Sequence, residues 1–189
     1  MSPLTKSLIF DLRFKNNYIY FITNVNLLTH NPFILTLALC LFISCATDPG
    51  FSDTPEIDFI SFSKDTLVQN SLNTDSLFLT ISFRDGDGDI GTGAEGIMEN
   101  IILTDTRTGV VFDRFKVPEL PIGELNSGIE GEISMKVFTT CCIFPDGTPP
   151  CLAPPQFPTN ELSFEIELVD DSGKRSNKLI TQSVLLLCN

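Results

Sequence analysis

The 189-residue chain carries 24 acidic against 12 basic side chains, a formal charge of −12, and has the length of one ordinary domain. Leaving out Lys6, Arg13, Lys15 and Asp11, all N-terminal to Cys45, residues 46–189 hold 9 basic and 23 acidic groups, a charge of −14 that repels nucleic acid and anionic membranes and favours cations. His30, Tyr18 and Tyr20 also precede Cys45 and tryptophan is absent, so the remainder lacks the histidine that Ser-His-Asp and Cys-His catalysis and His-ligated zinc require.

No formally charged residue occurs between Lys15 and Asp48, and Phe33 to Ile43 is an almost unbroken apolar run. Its eleven residues fall short of the ~20 that a helix needs to cross a bilayer core, but they suit the apolar part of a signal peptide. Ser44-Cys45 follows directly, then the polar, turn-forming Ala46 to Gly50. Phe42-Ile43-Ser44-Cys45 resembles a bacterial lipobox, with Phe42 where Leu is common. That resemblance implies cleavage before Cys45 and diacylation of its thiol. Residues 1–44 are then a signal segment, residues 45–54 a lipidated tether and residues 55–189 the folded domain. The alternative is an uncleaved membrane helix reaching back through Tyr18 to Ile22, interrupted by Asn16, Asn17, Asn24, Asn26, His30 and Asn31. Met1 lies far upstream of the apolar run and no basic stretch directly precedes Phe33, so either the signal is long or translation starts further downstream.

From Thr54 onward the apolar pattern alternates, with turn residues at short intervals. That period predicts strands over Glu56–Ser63, Asp75–Phe83, Asn100–Asp105, Val110–Val117, Glu130–Phe138, Glu161–Val169 and Lys178–Cys188. The inward faces are Leu77, Leu79, Ile81 and Phe83; Ile133, Met135 and Val137; and Leu162, Phe164, Ile166 and Leu168. No convincing helical run is present, and the expected fold is all-β, an antiparallel seven-strand immunoglobulin-like sandwich following the N-terminal signal segment.

Arg84 to Gly91 places Asp85, Asp87 and Asp89 at alternate positions between glycines, a density of hard oxygen donors that suits Ca²⁺. An EF-hand counted from Asp85 wants Gly at Ile90 and Glu at Gly96, and Glu95 falls one place early, so the loop is not an EF-hand. In an immunoglobulin-like sandwich the loop after the second strand shares an end with the loop after the sixth, which offers Asp170 or Asp171 as further ligands. An ion-free Asp/Gly hairpin is the plain alternative, set against the repulsion of three close carboxylates. The strand and hairpin from Glu165 to Asn177 look like those that close bacterial immunoglobulin-like and fibronectin type III-like domains. With its Asp-Gly-Asp-Gly-Asp-Ile-Gly loop after an early strand, the chain resembles Bacteroidota-type surface lipoproteins of unknown function. The resemblance implies a sandwich and an envelope address and no particular activity.

Cys141, Cys142, Cys151 and Cys188 form an even set in a chain read as exported, which predicts two disulfides rather than a Cys₄ zinc site. Cys188 is expected to join one of the other three, and a direct Cys141–Cys142 bond is disfavoured by geometry. The proline-rich stretch from Cys141 to Pro158 needs pinning, and it also reads as a partner-binding tip presenting Phe144, Leu152 and Phe157. These features describe a non-enzymatic binding or structural module on the bacterial envelope, held to the membrane by lipid and facing an envelope protein or glycan. A carbohydrate-binding module is weakened by the lack of Trp and Tyr, and a glycoside hydrolase would have to draw on the same acidic cluster.

Overall fold

The computed structural model describes residues 8–11, 50–91, 99–118 and 128–189. Cys45, the apolar run before it and Glu95 lie outside these residues. Among the described residues eleven strands and no helix occur. They are β1 (Leu8–Asp11), β2 (Glu56–Phe62), β3 (Thr66–Val68), β4 (Ser76–Asp85), β5 (Ile101–Asp105), β6 (Val110–Phe115), β7 (Ile129–Phe138), β8 (Thr159–Leu162), β9 (Phe164–Leu168), β10 (Leu179–Ile180) and β11 (Val184–Leu187). Three sheets have the orders β1-β7-β4-β2, β10-β9-β5-β6 and β3-β11-β8, giving a β-sandwich-like architecture.

Alternation creates the two core faces. Leu77, Leu79, Ile81 and Phe83 of β4 are buried, and the antiparallel register sets the first three opposite Val137, Met135 and Ile133 of β7. The other layer contributes Ile101 and Leu103 of β5, paired with Leu168 and Ile166 of β9. Each such side chain taken fully out of water contributes roughly 1.5–3 kcal/mol. A one-residue slip would turn the whole set toward solvent, so the core itself specifies the register.

Five predicted runs coincide with β2, β4, β5, β6 and β7 to within two residues at each end. The last two are each divided, at Ser163 and at residues 181–183. The cause is a change of sheet: β9 and β10 pair in one sheet, whereas β8 and β11 pair in another. At the crossing point the Phe164 N–H donates to the Thr181 hydroxyl at 3.0 Å, and the Thr181 N–H donates to the Phe164 carbonyl at 2.9 Å. The strand β3, parallel to β11, is too short for periodicity to reveal. The outer edge of β2 is closed by a side chain: the Asn177 amide accepts from the Ile57 N–H and donates to its carbonyl, both at 2.9 Å.

Leu8–Asp11 lies antiparallel on β7, opposite Glu132–Met135. Cleavage before Cys45 would remove this strand and leave the ten-residue pairing of β4 with β7 in place.

The cysteines pair as Cys142–Cys188 and Cys141–Cys151. The first is buried at the end of the sandwich where β11 arrives. Polar clamps hold the rest of the proline-rich loop. Gln69 accepts from the Cys142 N–H at 3.1 Å and donates to the Leu152 carbonyl at 2.8 Å, while Asn160 donates to the Ile143 carbonyl at 3.0 Å. Arg107 pairs with Asp105 and reaches Asn160 and the Cys141 carbonyl. The exposed aromatic tip expected from the sequence is not formed. Phe144 is buried and stacks on Phe157 at 5.9 Å, which itself packs against the core, so Leu152 alone of the three is exposed. Apolar side chains in a loop pinned this closely find the core before they find a partner.

The two disulfides close loops of very different length, with sequence separations of 46 and 10. Loop entropy then assigns about 4 kcal/mol to Cys142–Cys188 and about 3 kcal/mol to Cys141–Cys151. Urea denaturation of the Cys142→Ala/Cys188→Ala and Cys141→Ala/Cys151→Ala variants is expected to show the larger loss in the first. Its deficit also includes the packing of two buried sulfur atoms.

Candidate metal centre

On β4 the inward sequence Leu77, Leu79, Ile81, Phe83 continues to Asp85, and on β9 the inward sequence Phe164, Ile166, Leu168 continues to Asp170. The periodicity that builds the core thus delivers a carboxylate from each layer to the same end of the sandwich. Both residues are fully buried. Beyond Asp85 the chain turns through Gly88 and Gly91, at φ of 67° and 72°, conformations that glycine adopts without cost. Ile90 anchors the loop in the core.

Asp85, Asp87, Asp89 and Asp170 each direct one carboxylate oxygen into a common site, and these atoms all lie within 4.8 Å of one another. Asp85 Oδ1, Asp87 Oδ1, Asp89 Oδ1 and Asp170 Oδ2 are buried and have no hydrogen-bond partner among the described residues. Three of the opposite oxygens are held. Asp85 Oδ2 accepts from the Asp89 N–H at 3.1 Å, and Asp170 Oδ1 accepts from the Lys174 N–H at 2.7 Å and the Ser172 hydroxyl at 2.8 Å. Asp87 Oδ2 pairs with the Lys174 ammonium. Such outer hydrogen bonds can orient carboxylates around a cation, and the cluster could hold a metal ion.

The two loops and residues 51–53 are fastened together at this point. The Asp171 N–H donates to the Asp89 carbonyl at 3.1 Å, and the Gly86 N–H donates to the Ser52 carbonyl at 2.8 Å. A Cβ at Gly86 would lie 2.4 Å from the Phe51 carbonyl oxygen, so glycine is required there for close approach. Lys174 Nζ also reaches the Asp53 carbonyl at 2.9 Å.

Of the five aspartates proposed from the sequence, the structure brings four together. Asp171 is outside the cluster: its Oδ1 accepts from the Asn100 side-chain amide at 3.3 Å. In a turn of this kind adjacent residues point different ways, so only one of the Asp170-Asp171 pair faces the carboxylate cluster. Sequence reasoning missed Asn100 and Lys174. Asn100 is buried, accepts from the Val117 N–H and donates to the Val169 carbonyl, while Lys174 is the rim cation. Extending the inward alternation two residues past Leu168 would have separated Asp170 from Asp171.

Burial, reinforced by Asp87 and Asp89, pushes the Asp85 carboxyl up to about 7. Burial also raises Asp89, helped by Asp170 and Asp87. The Lys174 hydrogen bond holds Asp87 below the usual carboxylate range, and Asp87 in turn raises Lys174. One ammonium against four convergent carboxylates leaves a negative site that a divalent cation would neutralise in large part.

For metal-stripped protein the sign of the pH dependence follows. Asp85 and Asp89 have folded pKa values above their unfolded values, so their contribution is complete below about 4 and is lost as pH rises, for Asp85 through about 7. Asp87 has the opposite sign, but its change falls below its ordinary value of 3.8 and leaves this window untouched. Thermal melts in chelator are expected to show a lower Tm at pH 8 than at pH 5.5. Asp85→Asn should flatten most of that slope.

No protein-family model, no curated protein and no solved structure matches the chain.

Proposed function

We propose that this chain is a lipid-anchored protein of the bacterial cell envelope. Its folded part is a non-enzymatic binding or structural module, an immunoglobulin-like sandwich in which calcium joins the loop after β4 to the loop after β9. The observation that carries the ion site is the convergence of four buried carboxylate oxygens that have no hydrogen-bond partner among the described residues. Calcium suits an all-oxygen set on flexible loops, taking about six to eight ligands at variable geometry, and backbone carbonyls and water would complete the shell. Magnesium demands stricter octahedral geometry and keeps most of its water.

The immunoglobulin-like reading rests on neighbour order. β4 lies between β7 and β2 in one layer, and β9 lies between β10 and β5 in the other, with β6 beyond β5. The envelope reading rests on the apolar run that ends at Ser44-Cys45 and on two disulfides, which persist in oxidising compartments. The non-enzymatic reading rests on the missing His, Tyr and Trp after Cys45 and on the use of the clustered carboxylates for an ion. Only phenylalanine is available for ring stacking after Cys45, which favours an envelope protein over a glycan as partner.

Calcium is expected to raise the Tm of metal-stripped protein. At 100 times its Kd it would add about 2.7 kcal/mol to folding stability. Asp87→Asn and Asp89→Asn should each shrink the gain, while a Tm unmoved by millimolar calcium would reduce the loop to a plain hairpin.

Cys45→Ala is expected to leave the protein unprocessed or to release it from membranes, read by fractionation and mass spectrometry of the N-terminus. Retention of residues 1–44 in wild-type protein, with membrane association unaffected by Cys45→Ala, would instead favour an uncleaved helix.

A further inference from the structure

The edge of β7 facing away from β4 receives an extended segment in this structure. Leu8, Ile9, Phe10 and Asp11 lie antiparallel opposite Met135, Ser134, Ile133 and Glu132. Backbone groups on that edge are therefore geometrically able to form a ladder. Processing before Cys45 would remove the segment and open the edge.

The sequence of β7 is complementary to itself in an antiparallel register centred on Ser134. With a two-fold axis at Ser134, Ser134 faces its own copy, Glu132 faces Lys136 and Lys136 faces Glu132. On the opposite, core-side face the same register sets Ile133 against Met135 and Gly131 against Val137, pairing apolar groups and putting the larger side chain beside the glycine. Glu132 is exposed and forms no ion pair among the described residues, and Lys136 is half-buried with its ammonium 4.9 Å from the Phe138 ring centre. Opposite charges placed directly across an antiparallel pair stabilise it, and a symmetric contact counts each pair twice.

We propose that the processed protein forms a homodimer through antiparallel pairing of β7 with β7 of a second copy, centred on Ser134, and that Leu8–Asp11 blocks this contact in the precursor. The proposal rests on the lipoprotein reading for the removal of residues 1–44. The occupant is a second copy because, about the axis at Ser134, Glu132 and Lys136 fall opposite one another twice, with Ile133 against Met135 on the other face.

The test is sedimentation equilibrium in detergent on protein purified from membranes, its N-terminus read by mass spectrometry. Processed wild-type protein is expected to dimerise. Glu132→Lys and Lys136→Glu, each placing like charges opposite one another twice, should weaken the dimer by about tenfold or more, and the Glu132→Lys/Lys136→Glu double variant should restore it. A second arm does not depend on processing. The Cys45→Ala chain, retaining residues 1–44, should be monomeric, and adding Ile9→Pro should free the edge and produce the charge-sensitive dimer. An N-terminus that retains residues 1–44 in wild-type protein would refute the lipoprotein reading and leave the second arm to decide the interface. A processed protein or an Ile9→Pro chain that stays monomeric, or a dimer indifferent to the single charge changes, would overturn the β7 pairing.

Discussion

Two aspartates occupy positions where the inward alternation of β4 and β9 would otherwise bring another apolar side chain, and the end of the sandwich around them is organised by that conflict. Asp85 and Asp170 are removed from water on the core face, where an unpartnered carboxylate is costly. The surrounding chain answers with backbone N–H groups on one oxygen of each, with Lys174 on Asp87, and with a common focus for the remaining oxygens. The arrangement is incomplete in electrostatic terms: burial and mutual repulsion push Asp85 up to about 7, and the Lys174 ammonium compensates only part of the charge. A cation at the focus removes both penalties together.

That focus lies where three otherwise independent segments meet. The Asp-Gly loop and the β9–β10 turn are hydrogen-bonded through Asp89 and Asp171, and the segment from Phe51 to Asp53 is drawn in by Gly86 and Lys174. A cation at the focus would therefore bear on how residues 51–53 are held against the two loops. The same charges that make the site attractive to a cation are the ones that loosen it without one.

The other end of the sandwich solves its ordering problem covalently and with neutral hydrogen bonds. Cys142–Cys188 ties the last strand to the proline-rich loop, and Gln69, Asn160 and Arg107 satisfy backbone groups that proline-rich chain cannot pair with itself. Phe144 and Phe157 then pack inward, which converts an apparently sticky loop into part of the core margin. Sheet edges are treated differently again: Asn177 imitates a neighbouring strand along β2, whereas β7 is covered by a segment of the chain itself.

Much of this was legible in the linear chain because it depends on short-range pattern. Period-two alternation is a local property, and it identified the buried faces of β4, β7 and β9 residue by residue, from Leu77 to Leu168. The density of aspartate in one glycine-rich loop likewise announced a carboxylate cluster that could hold a cation, and an even set of cysteines announced two bonds. Tertiary structure decided what depends on meeting a distant segment. The division of the last two runs at Ser163 and residues 181–183 follows from a change of partner sheet, and the parallel strand β3 exists only because β11 lies beside it. The choice of Asp170 over Asp171 as the fourth carboxylate of the cluster, and of Cys142 as the partner of Cys188, was settled by which side chain faces inward where two loops meet. Alternation says that neighbouring residues point to opposite faces; only the packed neighbours say which face holds the site.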